Sequence, residues 1–229
     1  MSKNKNLQSG FTITELSLAM TMLSILLVII LLSILQITAT YNKGLTLKRV
    51  NQSGNNIGYE MQKSLRSSSA NNLISIQDTD IDGEYPATRL CTGKVSFIWS
   101  VIGNGNDIVE EKFSDESRIS FIKVEDAGGG LCKKASADPS YPKPDKADSK
   151  VLLGDELVIR MPSSVTKSTP VTSNKVGEAS LVTVELTIST PNDSGVIPDP
   201  SGRASCQGGK EDDFCAINTF VVTSYAKGI

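Results

Sequence analysis

The sequence predicts an α+β protein in which one long amino-terminal α-helix packs against an antiparallel β-sheet. Two observations predict this fold class. An apolar run of helical length with a carboxylate at its head lies near the amino terminus, and short segments bounded by turn residues fill most of the rest. The chain has 229 residues, which allows one globular domain with appendages.

The first predicted element is an apolar helix over residues 11–42. Leu16 to Asn42 contains 27 residues without a charge. A helix of that length measures roughly 40 Å, against the ~30 Å hydrocarbon core of a bilayer. Glu15 is the only charge between Asn6 and Asn42. Because a carboxylate at the head of a membrane span costs free energy, we expect Glu15 to be functional.

Residues 43–67 are predicted to continue the helix as an amphipathic half. Apolar side chains recur there at spacings of three and four residues, and this stripe is expected to face a globular domain. A polar cluster from Ser67 onward is expected to end the helix. Glycines weaken this half, and they let a sheet approach closely, let the helix bend, or do both. The predicted stripe consists of Leu47, Val50, Gly54, Ile57, Met61 and Leu65.

Residues 68–229 are predicted to form a globular antiparallel β domain with two long loops, Ala127–Ser149 and Pro191–Asp213. Leu181–Thr190 alternates apolar and polar side chains, as a half-buried strand does. Gly103–Asp107 is predicted to turn the chain into a hairpin with Ile108–Phe113. The other predicted strands are Leu73–Ile76, Lys94–Ile102, Ile119–Glu125, Val151–Met161 and Asn218–Ala226.

The composition excludes several classes of function. Residues 67–229 carry 16 basic and 23 acidic side chains, a net charge of −7. This charge argues against direct binding of nucleic acid. The chain has no histidine, which excludes Ser-His-Asp and Cys-His catalysis, and we expect no enzyme. The acidic clusters Glu110-Glu111, Asp115-Glu116 and Glu211-Asp212-Asp213 are interpreted as solvated surface rather than as glycosidase carboxylates.

Four cysteines, all beyond the apolar helix, indicate two disulfides and an oxidising compartment, with free buried thiols as the alternative. Three pairings are open. We favour Cys206–Cys215, which closes a loop near the carboxyl end, and Cys91–Cys132, which ties the first strand region to the lysine-rich loop. Metal ligation by cysteine is disfavoured because no C-x-x-C pair exists.

A calcium loop is the one cofactor site that the sequence suggests, and none is required. Asp78, Asp80 and Asp82, with Gly83, reproduce the first half of an EF-hand loop. Arg89 stands where the closing glutamate belongs, so a complete EF-hand is excluded. A looser calcium site completed by another segment and an acidic solvated turn are both open.

The motif Gly10-Phe11-Thr12-Ile13-Thr14-Glu15-Leu16 follows a short leader that contains Lys3 and Lys5. A cleaved secretory signal would have a shorter apolar region. A generic single-pass signal anchor would explain neither Gly10-Phe11 nor Glu15. The motif resembles the class III signal of the type IV pilin family, which includes the pseudopilins of type II secretion. Tyr41 through Ser67 is similar to PilW-type minor pilins and J-type pseudopilins.

The resemblance implies a pilin-like lollipop and a leader, residues 1–10. A prepilin peptidase would cut after Gly10 and methylate the amine of Phe11. The precursor would lie in the inner, cytoplasmic membrane with its outer domain extracytoplasmic, and membrane lipid would surround the helix. A pilus assembly platform and motor would then add it to other pilin subunits in an extracellular fimbrium. There Glu15 would pair with a Phe11 amine.

We therefore expect a structural, non-enzymatic subunit of a type IV pilus, of the minor type. A type II secretion pseudopilin is the alternative within the family. A membrane-anchored extracellular binding module or enzyme is the more distant alternative.

Overall fold

The computed structural model describes residues 12–69, 72–77, 87–103, 108–134, 140–168, 179–191, 196–198, 204–206 and 215–226. The chain divides into two compact units, Met1–Asn42 and Lys43–Ile229. The elements within the described ranges are α1 (Ile13–Arg66), β1 (Ile74–Gln77), β2 (Ala87–Cys91), β3 (Val95–Trp99), β4 (Val101–Ile102), β5 (Ile108–Val109), β6 (Phe121–Glu125), β7 (Ser149–Leu153), β8 (Val158–Ser168), β9 (Ser180–Ser189), β10 (Val196–Pro198), β11 (Ala204–Cys206) and β12 (Ile217–Ala226).

Helix α1 changes character at Val50, a short distance into the second unit. Up to Asn42 its side chains are almost all exposed, whereas from Val50 onward one stripe is buried. The prediction of an amphipathic second half is therefore confirmed, except that Leu47 is 44% exposed and lies outside the stripe. The helix ends at Arg66, close to the predicted end. The buried residues are Val50, Gly54, Ile57, Met61, Ser64 and Leu65.

A glycine of this stripe permits close packing between α1 and β12. A Cβ atom added at Gly54 would lie 2.2 Å from the ring of Phe220. One helical turn on, a Cβ at Gly58 would lie 3.3 Å from Val222. Asn218 of the same strand donates a hydrogen bond of 2.7 Å from its Nδ2 to Asn51 Oδ1. The close approach is thus the reason for glycine at position 54.

The strands form two five-stranded sheets and a separate β10–β11 pair. The first sheet has the order β1-β2-β3-β6-β7 and is antiparallel throughout. The second has the order β12-β9-β8-β4-β5, and in it β4 runs parallel to β8. The α+β class is confirmed, but the strands form more than the one antiparallel sheet that we expected.

Two predicted strands are each divided in the structure. Lys94–Ile102 breaks at Ser100, where the chain leaves the first sheet as β3 and enters the second as β4. Ser100 Oγ accepts from the amide of Glu111 (2.9 Å) and donates to the carbonyl of Ile119 (2.6 Å), so the hydroxyl holds the crossing point. Val151–Met161 breaks at a turn into β7 and β8.

The inner faces of both sheets share one core with α1. Trp99 on β3 stacks on Phe121 of β6 with ring centroids 5.1 Å apart. Its indole nitrogen donates to Ser163 Oγ of β8 at 2.9 Å, and that hydroxyl donates to the carbonyl of Ala87 at 3.1 Å. Val182 to Ile188 of β9 contribute their alternate apolar side chains to the same core, as predicted. A second cluster covers the outer face of the first sheet and comprises Ile98, Phe113, Ile119, Ile122 and Val124.

Candidate functional site

The amino-terminal end of α1 contains the carboxylate that the sequence singles out. Thr12 precedes the first helical residue, and its backbone amide and hydroxyl donate to Glu15 Oε2 at 3.0 and 2.8 Å. The amide of Glu15 donates in return to Thr12 Oγ1 at 3.3 Å. This reciprocal pair is a capping box, which satisfies two of the amides that a helix start leaves without partners.

This role of Thr12 is not among the predictions made from the sequence. The signal is present, because Thr12-x-x-Glu15 directly before an apolar run matches the capping-box pattern. One carboxylate oxygen of Glu15 has no hydrogen-bond donor among the described residues. Oε2 takes both bonds from Thr12, and no residue that the structure describes donates to Oε1. The carboxylate thus caps its own helix through Oε2, and Oε1 can still accept a hydrogen bond from another donor. Gly10 and Phe11 lie outside the described residues.

The helix that follows is long and apolar enough to cross a membrane, by its length and composition. Its hydroxyl groups form hydrogen bonds to carbonyl oxygens of the same helix, for example Ser24 to Met20 (2.8 Å) and Ser33 to Ile29 (2.9 Å). Between Leu16 and Thr40, Gln36 is the one polar side chain with no hydrogen bond to the described residues. Because the other polar groups are satisfied internally, the segment suits dry surroundings. Ser17, Thr21, Thr38 and Thr40 bond in the same way.

The structure contains both disulfides that we favoured. Cys91 joins Cys132, and Cys206 joins Cys215. The first bond fastens β2 to the loop that follows β6. Asp126 completes the attachment, because its carboxylate accepts from the amides of Gly130 (2.8 Å) and Leu131 (3.0 Å). The lysine-rich loop is therefore covalently tied to the first sheet, as predicted.

The acidic clusters divide between surface and interior. Asp115 and Glu116 are exposed, as expected for solvated carboxylates. Hydrogen bonds from Ser117 lower the pKa of Asp115, and a bond from Lys143 lowers the pKa of Glu116. The prediction that Glu111 is solvated is wrong, because this side chain is buried and paired with Arg89. The third cluster, residues 211–213, lies outside the described residues.

Glu60 of α1 is held between two lysines of the first sheet. Lys123 Nζ of β6 donates to its Oε2, and Lys150 Nζ of β7 to its Oε1, each at 2.8 Å. The carboxylate side chain is 13% exposed. The bond from Lys123, followed by that from Lys150, lowers the pKa of Glu60 to about 2. The second half of α1 is thus attached to the sheet by charge as well as by apolar packing.

The calcium candidates Asp78, Asp80 and Asp82 lie outside the described residues, so the calcium site stays a prediction. In the part of the chain that the structure describes, no group of three or more His, Cys, Asp or Glu side chains could hold a metal ion.

Comparison with family models, with curated proteins and with solved structures finds no match for this chain. The class of this protein is defined here by its structural features alone. That class is an α+β protein whose single amino-terminal helix is apolar enough to anchor it in a membrane and whose β-rich unit is closed by two disulfides.

Proposed function

We propose that the chain is a structural subunit of a type IV pilus or a related filament, processed after Gly10 and assembled through its amino-terminal helix. The observation that carries the proposal is the position of Glu15. It is the only charge from Asn6 to Asn42, it lies in the first turn of α1, and it stands five residues after the glycine of a Gly10-Phe11 pair.

Glu15 lacks a hydrogen-bond donor for one of its two carboxylate oxygens among the described residues. Thr12 bonds only Oε2, so the charged carboxylate keeps an unused acceptor beside a long apolar surface. In dry surroundings such a group costs several kcal/mol unless it is paired. Cleavage after Gly10 would supply the partner, since it converts the amide of Phe11 into an ammonium group. An ammonium from a neighbouring copy would then fix the axial register of packed helices.

The exposed surface of the apolar segment supports the same function. Large apolar side chains are exposed around the whole circumference of the helix, and Leu23 and Ile29, for example, are each 59% exposed. A helix that is apolar all round is stable only in lipid or among other apolar helices. A pilin uses both surroundings in turn, first as a membrane-held precursor and then as part of a filament.

Mass spectrometry of the mature amino terminus tests this proposal. We expect a chain that begins at N-methylated Phe11 and lacks residues 1–10. A chain that keeps Met1, or one that begins near Thr40, would contradict it and would favour a membrane-anchored extracellular module.

The cellular fraction that contains the mature chain distinguishes a pilus subunit from a secretion pseudopilin. A pilus subunit is expected in filaments sheared from the cell surface. A secretion pseudopilin, the alternative, would stay with the cell envelope and would be required for the release of secreted proteins.

A further inference from the structure

A groove of about 460 Å³ lies at the β7 edge of the first sheet, and we call it the β7 groove. Phe113, Ile122 and Val158 contribute apolar atoms to its lining and are almost completely buried. Val151 of β7 and Pro191 are exposed at its sides. Proteins bind peptide segments in grooves of this kind, with an apolar floor and polar groups at the rim.

The apolar lining of the groove continues the second hydrophobic cluster, which lies on the outer face of the first sheet. At the groove, the described residues leave this apolar surface partly exposed. Ile122 and Val151 are directly paired across β6 and β7, so their side chains lie on the same face of the sheet. Ile122 is 1% exposed, whereas Val151 is 54% exposed. The layer that buries Ile122 therefore stops one strand short of the edge, and a further apolar side chain placed there would complete it.

The rim of the groove is basic. No carboxylate of the described residues pairs with the guanidinium of Arg118. Lys146 stands 5.7 Å from the ring centroid of Phe113, and its charge also acts on Asp115. Among the described residues, one carboxylate lines the groove, that of Asp155, which accepts a hydrogen bond of 3.4 Å from Ser120. Two cations beside an apolar floor suit a segment that combines an apolar side chain with carboxylates.

We propose that the β7 groove binds the acidic segment 78–84 of a neighbouring copy of this chain. The inference rests on the proposed function, because only an assembled filament brings many copies into regular contact. The segment reads Asp-Thr-Asp-Ile-Asp-Gly-Glu, so that Ile81 is the apolar side chain and four carboxylates surround it. No stretch of seven residues in the chain is more acidic.

The topology directs this contact to another copy. Residues 78–84 connect β1 to β2, which lie at one edge of the first sheet, whereas β7 is the other edge. Four strand spacings separate β1 from β7, or ~19 Å. Opposite edges of one sheet that complement each other form a heterologous interface, and such an interface joins copies in an open series, as a filament requires.

Site-specific photocrosslinking of the full-length chain tests this inference. The photoreactive residue p-benzoylphenylalanine replaces Val151 in one tagged copy, and cells coexpress a second copy with a different tag. After irradiation of sheared filaments, we expect an adduct between the two tags whose crosslinked peptide contains Ile81. The matched control places the same residue at Val221, which is 63% exposed but lies on β12 of the other sheet, and there we expect no such adduct.

A charge exchange provides the second test. Arg118→Glu should lower the yield of the adduct at least tenfold, and the combination of Arg118→Glu with Asp80→Lys in every copy should restore most of it. An adduct to another segment, an adduct within one copy, or equal yields for all variants would overturn the inference. Filaments with methylated Phe11 but no adduct would do so as well and would leave the proposed function intact. An unprocessed amino terminus would overturn both.

Discussion

Arg89 and Glu111 form a bidentate ion pair in the interior of the β-rich unit. Arg89 Nε donates to Glu111 Oε1 at 2.7 Å, and its Nη2 atom binds Oε2, with side-chain exposures of 4% and 8%. The second terminal nitrogen of Arg89 donates to the carbonyls of Leu131 (2.7 Å) and Pro142 (3.0 Å). One buried cation thus joins β2 to both described limbs of the lysine-rich loop.

Removal of the negative partner should destabilise the protein strongly. We expect Glu111→Gln to lower the free energy of unfolding by about 3–5 kcal/mol, because it leaves Arg89 charged and buried. Urea unfolding can be followed by the fluorescence of Trp99, the single tryptophan, which is fully buried. The same substitution at Glu156, whose pair with Arg49 is exposed, should cost less than about 1 kcal/mol. Equal losses would contradict the role of burial.

The attachment of α1 through Glu60 should weaken in acid. The pKa of Glu60 is lowered from 4.5 to about 2 in the folded protein, so folding favours the charged carboxylate. Its contribution, about 1–3 kcal/mol, is therefore complete above pH 4.5 and is lost as the pH falls toward 2. We expect Glu60→Gln to be less stable than the wild type at pH 6, and the difference should shrink toward pH 2.

Glu125→Gln is the matched control for Glu60, since Glu125 is exposed on the same strand as Lys123. Its unfolding curve at pH 6 should follow that of the wild type. If Glu60→Gln were also to follow the wild type at pH 6, the two lysine bonds would contribute nothing measurable.

Replacement of Ser224 by alanine should stabilise the protein. Its hydroxyl is buried on β12 and has no hydrogen-bond partner among the described residues, which costs free energy. We expect Ser224→Ala to raise the free energy of unfolding by about 1 kcal/mol. Ser163→Ala, at an equally buried hydroxyl that bonds Trp99 and Ala87, should lower it by about 1–2 kcal/mol. A loss of stability at position 224 would contradict this account.

Two glycines of α1 should respond in opposite ways to alanine. At Gly54 the new methyl group would overlap the ring of Phe220, so we expect a loss of about 1–3 kcal/mol. At Gly44 a Cβ meets nothing within 4 Å. There Gly44→Ala should be neutral or stabilising by up to about 1 kcal/mol, because alanine is the better helix former. Equal effects at both positions, measured by urea unfolding, would show that packing against Phe220 is not the constraint.

Glu15→Ala should separate processing from assembly. We expect this variant to insert into the membrane and to be cleaved after Gly10 as the wild type is, but to fall at least tenfold in sheared filaments. The reason is that the Phe11 ammonium of a neighbour would have no carboxylate partner. Thr12→Val retains the carboxylate and removes one of its hydrogen bonds, so it should assemble better than Glu15→Ala. Wild-type amounts of Glu15→Ala in filaments would contradict the proposed function.

Local patterns in the sequence predict the helix and most strands because those elements depend on neighbouring residues. The stripe from Val50 to Leu65 has a helical period, and β9 alternates with a period of two. Leu47 obeys the same helical period but is exposed, since the period gives the direction of a side chain and not the length of the surface that it meets. The pattern within the predicted strand Lys94–Ile102 likewise does not indicate that the chain changes sheet at Ser100.

Long-range contacts explain what the sequence did not reveal. The sequence does not predict strand β2, because Thr88 and Arg89 are polar although both are buried. Arg89 meets Glu111, which lies 22 residues away, and only the fold brings the two together. The sequence prediction that Glu111 is solvated is therefore wrong. The capping box of Thr12 and Glu15 is different, since its spacing was visible and needed no tertiary information.

The internal hydrogen bonds of the apolar helix have a consequence for the proposed transfer of this helix from lipid to a bundle of similar helices. Ser24 and Ser33 retain the same acceptors whatever surrounds them, so exchanging acyl chains for protein breaks none of their bonds. From Thr12 to Thr40, Glu15 and Gln36 are the side chains with a polar atom that has no partner among the described residues, so these two would distinguish one environment from the other. In the proposed filament, these two positions would therefore decide where the helix comes to rest.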